Sequence, residues 1–219
     1  SHDWDRFPPM HHLMLRDRDD AIQVVKAYRD QGIDRLKLYW KLERSDMAVV
    51  IEQANALDMS LYAHVDNGIV SIPEAVDLGV RNFEHIFTLP NIILKNDETG
   101  RGALKALGLP QLSGVLNYEA GLAANFALIE SNPTYKADFE LLLATLAEKG
   151  VTISTGINHT ATATGQAIYG SSFEPIPYQE TTEHDDLRVR ASGLDDAFNI
   201  MMMAIKSAHE AGIKIRIGT

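Results

Sequence analysis

The chain has 219 residues, 45% of them hydrophobic, enough to bury a substantial core in a single domain spanning residues 1–219. Its 30 acidic and 20 basic residues give a formal charge of -10, which excludes the broad basic face that nucleic acid or an anionic membrane surface requires. It has no cysteine, which excludes disulfides and thiolate metal ligands, and no apolar run approaches the roughly 20 residues of a membrane span.

A lead-in with the turn pair Pro8-Pro9 precedes the first element. Residues 19–31 read as a helix, with Ala21, Val24, Val25 and Tyr28 at helical spacing and Gly32 as its stop. Residues 33–40 read as a strand. Alternation puts Arg35, Lys37 and Tyr39 on one face and Leu36, Leu38 and Trp40 on the other. Ser45 is the expected cap of a helix running to Leu57. A second strand follows at 58–65, then a short helix at 73–78 opened by Pro73, then a third strand at 80–87.

The rhythm then changes, because about sixty residues intervene before the next strand where a few residues plus one helix would suffice. This insertion holds Gly-rich turns around 99–102 and helices at 117–130 and 135–149, separated by Asn132-Pro133. The fourth strand is expected at 151–155, followed by a long loop from 156 to 192, of the kind that usually binds ligands or forms lids. A Met-rich amphipathic helix at 194–211 leads to a fifth strand at 213–217. Strands alternating with helices predict an α/β fold with about five parallel strands and a long insertion after the third.

Two histidines end consecutive strands, His64 on the second and His85 on the third. A helical crossover makes those strands parallel and puts both imidazoles at carboxyl ends, where α/β proteins place their chemistry. Neighbouring imidazoles there can share one metal ion. A lone histidine would read as a hydrogen-bonded structural residue; the pair, with Lys37 on the strand before, favours a metal site. Tyr39, one pleat beyond Lys37, either donates to a substrate carbonyl or carboxylate or forms an aromatic rim. His159, in GINHTATATG, either touches substrate or is a polar loop residue. Glu84 is expected to point into the helix layer and to make a structural pairing. His11, His12, His184 and His209 read as surface residues, and Met201–Met203 as helix packing. The run TATATG at 160–165 lacks the lysine of a phosphate loop.

The pairs Ala63-His64, Gly79-Val80 and Glu84-His85, preceded by LKLY and followed by AGIKIRIGT, resemble strands four to eight of the amidohydrolase superfamily, the metal-dependent (β/α)8-barrel hydrolases. The likeness covers residues 19–219. It is strongest to the branch related to prolidases and imidazolonepropionase, which acts on amide bonds of N-acyl amino acids, dipeptides or cyclic amides. The resemblance implies a partial TIM-type barrel and a small-molecule amide substrate. It also implies one or two divalent ions such as Zn2+, with Lys37, His64 and His85 as ligands and Lys37 able to carry a carbamate. Burial would depress the lysine pKa and favour the neutral amine that adds carbon dioxide.

No catalytic residue is assigned. In the family an aspartate follows such a Gly-Thr, and this sequence stops at Thr219; the His-x-His pair of the first strand is also missing. The expectation is a fragment with little hydrolase activity of its own, whose open edges at 33–40 and 213–217 favour homo-oligomers. Two other classes compete: a barrel aldolase or lyase with Lys37 forming a Schiff base, and a non-enzymatic α/β scaffold with structural histidines. The residues do not identify a compartment.

Overall fold

The computed structural model describes residues 15, 17–65, 67–94, 98–109, 114–157 and 197–217. Helix α1 (Arg18–Asp30) begins where the Asp17 carboxylate accepts the Asp20 N–H at 2.8 Å, and it buries Ala21 and Val25. Strand β1 (Arg35–Leu38) is followed by α2 (Arg44–Ala56), which packs on α1. Ser45 is not the cap of α2. The extended residue Glu43 holds that position without a side-chain bond, so Ser45 falls inside the first turn.

Strand β2 (Ser60–Ala63) leads to α3 (Ile72–Asp77). A reciprocal capping box starts α3: Ser71 Oγ accepts the Glu74 N–H at 3.3 Å, and Glu74 accepts the Ser71 N–H at 2.9 Å. The Ser71 N–H, together with the Ser71 hydroxyl that donates to the same oxygen at 2.8 Å, lowers the pKa of the Glu74 carboxyl. Strand β3 is only Asn82–Phe83, far shorter than the expected 80–87, and a 3-10 turn at Ile86–Thr88 follows it.

The insertion is helical. It comprises α4 (Pro90–Ile93), α5 (Arg101–Ala106), α6 (Gly114–Ser131) and α7 (Pro133–Glu148). The Gly-rich stretch expected as turns is the entry to α5. Gly100 donates its N–H to the buried Asn125 at 2.7 Å, and Gly121 lets α6 approach it so closely that a Cβ there would lie 3.0 Å from Gly100 Cα. Asn132 caps α7 by accepting from Thr134 and Tyr135. Strand β4 (Thr152–Ser154), α8 (Ala197–Glu210) and β5 (Lys214–Arg216) complete the described elements. None of these helices is long and apolar enough to cross a membrane.

Among the described residues five strands form one open, all-parallel sheet in the order β1-β2-β3-β4-β5, as the expected α/β class requires. Register decides its faces, because paired residues of parallel strands point the same way. Leu38, Ala63, Phe83 and Ile153 share one face and are buried in the main core, along with Val25, Met47 and Leu143 from helices. Burying a side chain of this size contributes about 1.5–3 kcal/mol. The opposite face carries Arg35, Lys37, Tyr62, Asn82, Thr152, Lys214 and Arg216, none of them buried.

Candidate functional site

Continuing the register one residue past Leu38, Ala63 and Phe83 sets Tyr39, His64 and Glu84 in a row with Ser154 and Arg216. The ladder extends that far: His64 N–H donates to Leu38 O at 2.9 Å, and Glu84 N–H donates to Ala63 O at 2.8 Å. The row crosses the polar face at the carboxyl ends of the strands. Glu84 therefore lies on the polar face and not in the helix layer, because Phe83 takes the helix-facing position. Its expected structural pairing is present. Glu84 Oε1 accepts from Arg216 Nη2 and Oε2 from Ser154 Oγ, both at 2.7 Å. Arg216 also lies over the Tyr62 ring, 4.6 Å from its centroid.

Strict alternation would send His85 to the helix side, as it does Phe83. His85 instead has φ +62°, a left-handed value uncommon outside glycine. The turn brings its ring beside His64, with centroids 4.6 Å apart in a T-shaped arrangement. The backbone of His85 is bonded on both sides. Its N–H donates to Ser154 Oγ at 3.0 Å, and its carbonyl accepts from the N–H and hydroxyl of Thr88. Thr88 O in turn accepts from Asn67 Nδ2 at 2.7 Å. The His85 ring stacks on Phe87 at 4.8 Å with planes 5° apart. Gly156, itself at φ +63°, packs against both stacked rings: an added Cβ would lie 2.9 Å from Phe87 Cε1 and 3.2 Å from His85 Nδ1.

His64 is half-buried. Burial, reinforced by the His85 and Lys37 charges and only partly opposed by Glu84, lowers its pKa to about 4. It is therefore neutral at physiological pH, the form in which imidazole ligates a metal. Tyr39 packs edge-on against His64, with ring centroids 5.1 Å apart.

Lys37 is exposed, its Nζ 6.0 Å from the Tyr39 centroid. It belongs to β1, an edge strand of the described sheet. Lys37, Tyr39, His64 and His85 are thus brought to one mouth, while His159 lies outside the described residues. Among the described residues no group of three or more His, Asp or Glu side chains is arranged to hold a metal. The two imidazoles meet edge to face, so the described residues bring together two nitrogen-bearing rings of the kind that ligate divalent ions.

A separate groove of about 570 Å³, floored by Phe126, Phe139, Leu143 and Ile200, lies among α6, α7 and α8 and includes none of these residues. Sequence reasoning missed Ser154, Gly156 and Arg216 as neighbours of the site. Their signals were present: Ser154 and Arg216 fall on the polar parity of their strands, and Gly156 directly follows a strand end. The chain matches no protein-family model and no curated protein at a significant level.

Proposed function

We propose that the mouth formed by Lys37, Tyr39, His64 and His85 is part of the metal centre of a hydrolase acting on amide C–N bonds, of the amidohydrolase type. The reading rests on one observation: two imidazoles face each other at the carboxyl ends of adjacent parallel strands. The strand order supports the barrel part of the proposal. With the right-handed crossovers usual for parallel strands, an order that never reverses would put the connecting helices on one side, as in the arc of a TIM-type barrel. A doubly wound sheet would reverse its order and cover both faces. The polar face opposite the buried one agrees with the arc.

In this reading His64 and His85 would hold a divalent cation such as Zn2+ through ring nitrogens, with Lys37, as carbamate, a further donor. The bound ion supplies Lewis acidity toward the scissile carbonyl. His64 stays unprotonated across the neutral range, so its nitrogen remains a donor. Tyr39, in van der Waals reach of His64, orients a substrate carbonyl or carboxylate by donating its phenol proton.

Zinc titration against a chromogenic chelator, run beside hydrolysis assays on a panel of N-acyl amino acids and dipeptides, tests the reading. Zinc binding that His64→Ala and His85→Ala each weaken at least about tenfold is expected, with amide cleavage by this chain slight or absent. Zinc affinity unchanged in the double variant would overturn it. Borohydride trapping of a carbonyl compound on Lys37 would instead favour the Schiff-base lyase.

A further inference from the structure

We propose that the Arg216–Glu84–Ser154 chain is a positioning device that holds His85 in its left-handed backbone conformation and so turns its ring toward His64. The idea deepens the metal-centre reading and rests on it for its purpose, but its geometry stands independently. A non-glycine residue at φ +62° persists only where its surroundings over-determine it. Leaving the ladder costs the His85 N–H its usual strand acceptor. Ser154 Oγ replaces that acceptor at 3.0 Å, from a residue 69 positions away.

A hydroxyl has one proton and two acceptor sites. Here the proton goes to Glu84 Oε2 at 2.7 Å, which leaves the lone pairs facing His85. The other Glu84 oxygen is held by Arg216 at 2.7 Å, and Arg216 is steadied by the Tyr62 ring. Each member therefore fixes the direction of the next, from β5 to the first residue beyond β3, on to β4 and back to the second residue beyond β3. Ser154 is fully buried, so no solvent molecule is at hand to substitute for its hydroxyl without rearrangement. Gly156 and Phe87 pack against the imidazole and leave the ring the orientation set by the backbone.

The test uses the full chain with Ser154→Ala, Glu84→Gln and, as an exposed-hydroxyl control, Ser131→Ala. Two quantities are read: nuclear Overhauser contacts between the His64 and His85 ring protons in metal-free protein, and Zn2+ affinity by chelator competition. Ser154→Ala is expected to lose the ring contacts and to weaken zinc by about ten- to a hundredfold while circular dichroism stays native. Glu84→Gln can still accept from Arg216 but offers Ser154 a donor, so about a two- to tenfold loss with weakened contacts is expected. Ser131→Ala should change neither quantity.

If Ser154→Ala fails to fold, the isosteric Glu84→Gln carries the test. If wild-type protein binds no zinc, the metal reading fails, and the ring contacts alone decide the positioning. Ring contacts retained in both folded variants, with zinc affinity, where it is measurable, within about twofold of wild type, overturn the proposal.

Discussion

His64 leaves β2 along the ladder, whereas His85 leaves β3 by turning out of it. The first donates its N–H to the neighbouring strand and takes the face that alternation assigns. The second gives up that bond, adopts a left-handed backbone and is held by a serine, a threonine and a glycine from other segments. The two rings finish 4.6 Å apart. A side chain delivered by regular secondary structure needs little beyond its strand. One delivered against alternation needs a built socket, and the socket's parts become as consequential as the residue it holds.

The sharpest way to break the comparison is Gly156→Ala. The added methyl meets Phe87 and His85 and a backbone that L-residues avoid. A loss of about 3 kcal/mol in urea unfolding is expected, with the His85 side of the site disrupted and the Tyr39–His64 contact retained.

Next is pH, which isolates the His64 side. The folded protein holds His64 near pKa 4 against 6.5 for the free side chain. Between those values the unfolded chain takes up a proton that the folded chain refuses. Stability therefore falls as pH drops from about 6.5 to about 4, and this group adds nothing further below that window. The expected loss is about 2 kcal/mol after allowance for partial exposure, read as the difference between wild-type and His64→Asn unfolding curves in chelator. Identical pH slopes would show that His64 is not held neutral by its surroundings.

Ser71→Ala removes half of the capping box on the crossover helix that the two strand ends share. A cost of about 1 kcal/mol, felt equally at both histidines, is expected from thermal unfolding. Smallest is Lys37→Met. The side chain is exposed, so stability should stay within about 0.5 kcal/mol while zinc affinity falls if Lys37 is a donor. A large loss of stability would mean that the lysine holds the sheet edge together.

The parallel sheet and the place of His64 at a strand end were legible in the sequence, because alternation and crossover length are local signals; His85 reaches His64 by a turn that alternation does not give. The short β3 was not. Its apolar residues continue through Ile86 and Phe87, and periodicity does not mark where a ladder stops and a turn begins. Glu84 was assigned to the helix side for the same reason, since the strand was expected to continue and His85 to take the polar face. Nothing in a His-Ile pair announces a positive φ; that conformation depends on Ser154, far along the chain. Lys37 is exposed and not buried as expected, because its strand is an edge of the described sheet, which the open edge expected at 33–40 already implied.

The bond between Glu84 and Arg216 joins residues 132 positions apart. During synthesis both imidazoles emerge early, long before the arginine that braces one of them. Contacts of such sequence separation are slow to close, and domains acquire them late. His64 can take its place as soon as β1 and β2 pair, but the orientation of His85 matures only when β5 docks. A chain stalled before β5 would have His64 in place beside a His85 still without its brace.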